Sequence, residues 1–145
     1  MKKVILGIFV ILITVCCSFA VTACGSGNYV GSYKLKSITA SDGKTYNLGD
    51  EYNGSALRET DVTLDLKEPV KLTAGSQVSE AGRASFSDNI GAGCSYAMWK
   101  KVSGGIEIVD FYDADTVYKA KLSGSTLTVI CPAGSEIQKI VMVKM

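Results

Sequence analysis

From Tyr29 onward, apolar and polar residues alternate one by one in short runs, and glycine-bearing turns interrupt them. A side-chain period of two is that of a strand with one face buried, and no helix can use it. In Gly31–Thr39, Tyr33 and Leu35 point one way and Lys34 and Lys36 the other. Asp61–Lys67 sets Val62, Leu64 and Leu66 against Thr63, Asp65 and Lys67. Thr116–Leu122 sets Tyr118, Ala120 and Leu122 against Val117, Lys119 and Lys121. Such alternation predicts antiparallel strands with a dry face and a wet one.

The connections support this reading. Ser103-Gly104-Gly105 separates Tyr96–Val102 from Ile106–Tyr112, and Ser123-Gly124-Ser125 separates Tyr118–Leu122 from Thr126–Ile130. Both read as hairpins in which glycine supplies a positive φ. Val70–Ala74, Arg83–Ser87 and Ile137–Lys144 are further candidate strands, for a total of about eight or nine. A longer connection runs from Asp42-Gly43 to Thr60, with one helical turn expected at Gly54–Arg58, and Asp88–Gly93 reads as an irregular, glycine-containing connection. Consecutive antiparallel strands must hide their edges, and closure into an up-and-down barrel does so fully.

What precedes Tyr29 is of another kind. Lys2 and Lys3 are followed by an uncharged apolar run, Val4–Ala20, of seventeen residues. That is the layout of a secretory signal, slightly short for a membrane span. No basic stop-transfer cluster follows, and Gly25-Ser-Gly-Asn28 reads as a flexible tether. Val21-Thr22-Ala23-Cys24 resembles the lipobox of bacterial lipoproteins: a branched residue, two small ones, then the cysteine that receives lipid. The small side chains suit a protease that cuts between Ala23 and Cys24, which leaves Cys24 at the membrane surface. Val15 and Cys16 stand where Cys16 and Cys17 would need a small neighbour, so those two cysteines fall within the discarded segment.

The organisation expected is therefore a signal peptide at 1–23 forming a cleaved signal helix, a lipidated tether at 24–28 and a β-barrel domain at 29–145. A diacylglycerol and a further acyl chain on Cys24 would hold the protein stably, at about 0.8 kcal/mol per buried methylene. The location expected is extracytoplasmic, at the cell membrane.

Composition limits what such a domain can do. Removing residues 1–23 from the 145 leaves 122 residues, the size of one ordinary domain. Without Lys2 and Lys3 the fifteen basic residues become thirteen, against fourteen acidic ones. That balance disfavours nucleic acid as a partner. The sequence contains no histidine, which excludes a Ser-His-Asp triad, a Cys-His dyad and histidine-ligated zinc or haem. No catalytic residue, cofactor site or metal site is assigned, and the expectation is a protein without enzymatic activity.

The mature strands also carry a resemblance. "GSYKL" at the start, "MWKKVSGGIEI" in the middle and "YKAKLSGSTLTVI" later resemble the small lipocalin-like domains of lipoproteins from Gram-positive anaerobes. In that family a glycine and an aromatic open the first strand, and tryptophan-bearing hairpins repeat down the meander. Here Tyr33 stands where larger lipocalins carry tryptophan, and the single Trp99 lies mid-chain. The resemblance implies an all-β, up-and-down barrel that binds a small lipophilic ligand.

Four sets of residues are candidates for function. Tyr33, Leu35, Trp99 and Tyr118 would line an interior pocket, drawn from the strand aromatics Tyr33, Phe86, Tyr96, Trp99, Phe111 and Tyr118. The competing expectation is an interior filled by the barrel's own side chains, with Ser41–Thr60 and Asp88–Gly93 recognising an envelope protein instead. Cys94 and Cys131 form an even pair in an exported domain, and strand counting puts both at one end of the barrel. Two readings stand side by side: a disulfide between them, contributing roughly 3–4 kcal/mol, or two separate small buried hydrophobes. Asp110–Asp115, "DFYDAD", offers oxygen ligands for calcium but lacks an EF-hand's glycine and distal glutamate, and so reads as a solvated turn. Lys100 and Lys101 read as the solvated face of a hairpin.

Overall fold

The computed structural model describes residues 28–91 and 93–145, and among them it contains twelve strands and no helix. The signal helix, the lipobox and Cys24 lie outside the described residues. The strands are β1 (Gly31–Ala40), β2 (Thr45–Asn47), β3 (Glu51–Tyr52), β4 (Ser55–Ala56), β5 (Val62–Leu66), β6 (Val70–Ala74), β7 (Gln77–Asp88), β8 (Ala97–Val102), β9 (Gly105–Asp110), β10 (Val117–Ser123), β11 (Thr126–Ile130) and β12 (Ile137–Lys144). Eight of them close a ring in the order β1, β5, β7, β8, β9, β10, β11, β12 and back to β1. Every pairing in the ring is antiparallel and joins strands that follow one another around the meander. The expected closed barrel is the observed one.

Closure is made where β1 meets β12. Tyr33 faces Lys144, Leu35 faces Met142 and Ile38 faces Ile140. The register slips between Leu35 and Ser37, which leaves Lys36 as the extra residue of a bulge. Simple alternation would turn Ser37 and Thr39 inward. The bulge shifts the phase by one, and Ile38 and Ala40 are buried instead.

The inward face of the ring is one continuous apolar cluster. It takes Val62, Leu64 and Leu66 from β5, Phe86 from β7, Trp99 from β8, Ile106 and Ile108 from β9, Leu127 and Val129 from β11, and Ile140 and Met142 from β12. Trp99, Tyr33 and Phe86 are the largest side chains buried almost completely. Burying apolar area at about 25 cal/mol per Å² is what holds such a ring together. Among the described residues, no buried side-chain polar atom lacks a partner.

Two connections depart from simple expectation. The helical turn expected at Gly54–Arg58 is a hairpin: Glu51 pairs with Ala56 and Tyr52 with Ser55. Asn53 and Gly54 both take a positive φ, 51° and 82°, and two successive residues of that kind close a hairpin and cannot start a helix. Behind it, Leu57 drops into the core and Tyr46 packs edge-on against Tyr52 at 5.1 Å.

The second departure is β7, which is twelve residues long. Only its second half belongs to the ring, where Ala84–Asp88 pairs with β5 and Gly82–Ala84 with β8. Its first half, Gln77–Ala81, pairs with β6 across the turn Gly75–Ser76. These two segments form an arm at the end of the barrel where β1 begins. All five β6 residues are exposed.

Candidate functional site

The four side chains expected to line a pocket, Tyr33, Leu35, Trp99 and Tyr118, are brought together and all belong to the packed core. The Tyr33 hydroxyl donates to the Tyr29 carbonyl at 2.7 Å, and the Trp99 indole N–H donates to the Lys67 carbonyl at 2.9 Å. Tyr29 is buried too, with its ring 6.4 Å from that of Trp99. Tyrosines and the tryptophan thus fill the end of the barrel where the chain enters. At the opposite end Phe86 packs edge-on against Tyr118, with ring centroids 5.4 Å apart. Burial pushes the Tyr33 hydroxyl up to about 12 and the Tyr118 hydroxyl still further. These phenols are neutral packing groups, with no acid–base role near neutral pH.

Tyr96 and Phe111 do not belong to this interior. They stand on the outer wall, 61% and 69% exposed, beside Tyr112 at 81%. Tyr96 immediately precedes β8, in phase with outward-facing Met98, and Phe111 immediately follows β9. The backbone N–H of Phe111 donates to the Tyr96 carbonyl at 2.9 Å. This bond ties the two exposed aromatics to each other. Tyr112 then packs edge-on against both, with centroid separations of 6.2 Å to Tyr96 and 5.5 Å to Phe111. Alternation alone could not assign them, because both lie just past the ends of their strands.

Below these rings lies a groove of about 640 Å³ on the outer wall over the β7–β8 seam. The seam is short, with only Gly82, Arg83 and Ala84 paired to β8. Arg83 and Met98 face each other across it and form the floor, together with Ser85. Tyr96, Phe111 and Tyr112 line one end of the groove, and Lys67 and Val70 line the other, where the arm begins. The ion pairs among the described residues are Lys34–Glu59, Arg58–Asp61 and Lys100–Glu107. Lys67 and Arg83 therefore bring positive charge with no ion-pair partner among the described residues to an aromatic-lined depression. Its volume falls within the range, about 300–1,000 Å³, of sites for small organic molecules.

Of the two readings of Cys94 and Cys131, the disulfide is not present and the separate buried thiols are what is found. Cys94 and Cys131 are free, buried thiols within the core cluster. Both neighbour Tyr118, and both feel the charge of Asp88, so they do converge on one end of the barrel. There they pack as small apolar side chains. Burial pushes Cys94 up to about 11, helped by Asp110, and Cys131 up to about 12. Thiols held so high are poor nucleophiles.

Asp110–Asp115 is a self-satisfied turn. Asp110 accepts from the Tyr112 N–H at 2.7 Å, and Asp113 accepts from the Asp115 N–H at 3.1 Å and the Thr116 hydroxyl at 2.6 Å. Those hydrogen bonds, the Thr116 hydroxyl first, hold the Asp113 carboxyl below its usual value. The Asp110 and Asp113 carboxylates are engaged by their own loop, and no cluster of metal-ligating residues occurs among the described residues. Lys100 pairs with Glu107 of β9 at 3.5 Å, as a solvated hairpin face would.

No known protein family matches the chain, and comparison with curated proteins and with solved structures finds no similar protein.

Proposed function

We propose that this chain is a lipid-anchored, extracytoplasmic lipoprotein whose lipocalin-like barrel binds a small lipophilic ligand without catalysis, on its outer wall. The anchor rests on the apolar run Val4–Ala20 and the lipobox-like Val21–Cys24. The location of the ligand rests on one contrast. The interior is occupied by Tyr33, Trp99, Phe86 and their neighbours, whereas Tyr96, Phe111 and Tyr112 are held in the open above a groove.

Exposing three neighbouring rings to water sacrifices burial that the fold could otherwise use, and a contiguous apolar patch of this kind marks a contact surface. Arg83 and Lys67 select among lipophilic molecules. An amphiphile with one anionic group can lay its apolar body along Met98 and the rings and place its charge beside the two cations. Arginine can also stack on a flat ligand through its guanidinium plane.

The test is a titration of the full chain with anilinonaphthalene sulfonate, a flat apolar anion, followed by fluorescence. Saturable enhancement is expected, weakened by Tyr96→Ala and by Arg83→Gln while the melting temperature is kept. Binding that is unchanged in both variants would count against the groove.

A further inference from the structure

The β6–β7 arm leaves the ring with an open edge. Among the described residues β6 pairs only with β7. Among those residues no strand lies on its other side, since β1 begins at Gly31 opposite Leu66 at the end of β5. Ala74 and Gln77 flank the two-residue turn whose first member, Gly75, has φ 63°, which makes them a hydrogen-bonded pair. Pairs alternate along an antiparallel ladder. Ala74, Leu72 and Val70 therefore bond toward β7, and Lys71 and Thr73 aim their N–H and C=O groups outward. Val70 and Leu72 stay 57% and 46% exposed.

We propose that β6 is the pairing edge for a second copy of this chain, in an isologous dimer whose two-fold axis passes through Leu72. The sequence of the strand is complementary to itself about that point. Antiparallel pairing centred there sets Val70 opposite Ala74, Leu72 opposite Leu72, and Lys71 opposite Thr73. Apolar side chains meet apolar ones, and the only charge on the strand meets a hydroxyl, never its own copy. The outward groups of Lys71 and Thr73 fall on those of Thr73 and Lys71 across the axis, so the register also satisfies the ladder. Both copies of Val70, Leu72 and Ala74 then share one face of a four-stranded sheet. The far edge of the arm is less suited, since the same operation there would set Glu80 against Val78. An isologous contact closes on itself and does not propagate into fibres. The dimer stands independently of the ligand proposed for the groove.

The experiment is oxidative cross-linking of the full chain in whole cells with copper phenanthroline, read on a non-reducing gel. Opposed residues in a non-hydrogen-bonded pair have Cα atoms about 4.5 Å apart, within disulfide reach. Leu72→Cys should give a dimer band that wild type lacks. Thr73→Cys should give none alone, since its own copy lies on the diagonal, and should give one when combined with Lys71→Cys. Lys71→Pro together with Leu72→Cys should lose the band, because proline removes an outward N–H. Absence of the Leu72→Cys dimer overturns the proposal, as does equal cross-linking at Leu72 and Thr73. All three sites are exposed, so folding is expected to survive. A melting curve for each variant checks this.

Discussion

The indole of Trp99 lies directly over Gly82. A Cβ placed on residue 82 would overlap the indole nitrogen and the adjoining ring carbon, and it would also press on the Lys67 carbonyl. The two residues are register partners across the β7–β8 seam. Only glycine lets the largest side chain of the core cross its neighbour strand and donate to Lys67 on the far side. That bond secures the point at which β5 gives way to the arm.

Gly82→Ala should therefore cost about 2–3 kcal/mol, as overpacking of a filled core does. Its melting temperature should fall by on the order of 10 °C. Gly43→Ala, at a turn where a Cβ meets nothing within 4 Å and only φ opposes it, is the comparison and should cost less. Calorimetry of the two variants decides the matter, and equal losses would remove the special role of position 82.

The buried thiols predict an alkaline weakness. An unfolded thiol ionises near its ordinary 9.0, whereas Cys94 and Cys131 hold their protons to about 11 and about 12. Within that window the unfolded chain has lost protons that the folded chain keeps, so stability declines as pH rises. Below about 9 it is fully present. The melting temperature should be flat up to that pH and fall progressively above it. A Cys94→Ala, Cys131→Ala double variant should lower the whole curve but reduce its slope between 9 and 11.

The same burial makes the thiols slow to react. Iodoacetamide at neutral pH should leave both unmodified in the folded protein and label both once denaturant is added. Rapid labelling of Cys94 in native protein would show that the end of the barrel opens.

The acidic loop should ignore calcium. Asp110 and Asp113 already accept hydrogen bonds from their own turn, and a cation would have to break them. Millimolar calcium should leave the melting temperature unchanged. Asp113→Ala should lower stability slightly, through loss of the Thr116 contact.

Much of the barrel was legible because period-two alternation survives in β1, β5 and β10, and because glycine marks the hairpins. Ile38 and Ala40 were legible only as apolar residues out of phase, since nothing in "YKLKSIT" announces the bulge at Lys36 that turns them inward. The hairpin at Asn53-Gly54 carried the ordinary turn signal for two positive φ values, but it lay in a stretch read for helix. The groove was hidden for a different reason. Tyr96 and Phe111 have the composition of core residues, and only the ends of β8 and β9 decide that they face out. Cys94 and Cys131 were correctly placed at one end by strand counting, but proximity alone does not make a bond.

Anchoring is tested apart from the barrel. Metabolic labelling with a fatty acid should mark the wild-type chain and fail in Cys24→Ala. Label retained by that variant would contradict the lipobox reading.

The central claim, that the barrel recognises its ligand from outside, has a natural pair of reporters. Met98 lines the groove floor, and Met142 is wholly buried in the interior opposite Leu35. Methionine-methyl NMR of the full chain during titration with anilinonaphthalene sulfonate distinguishes the two locations in one spectrum. The account predicts that the Met98 resonance shifts with ligand while Met142 stays fixed. A Met142 shift with Met98 unmoved would place the ligand inside the barrel and contradict it.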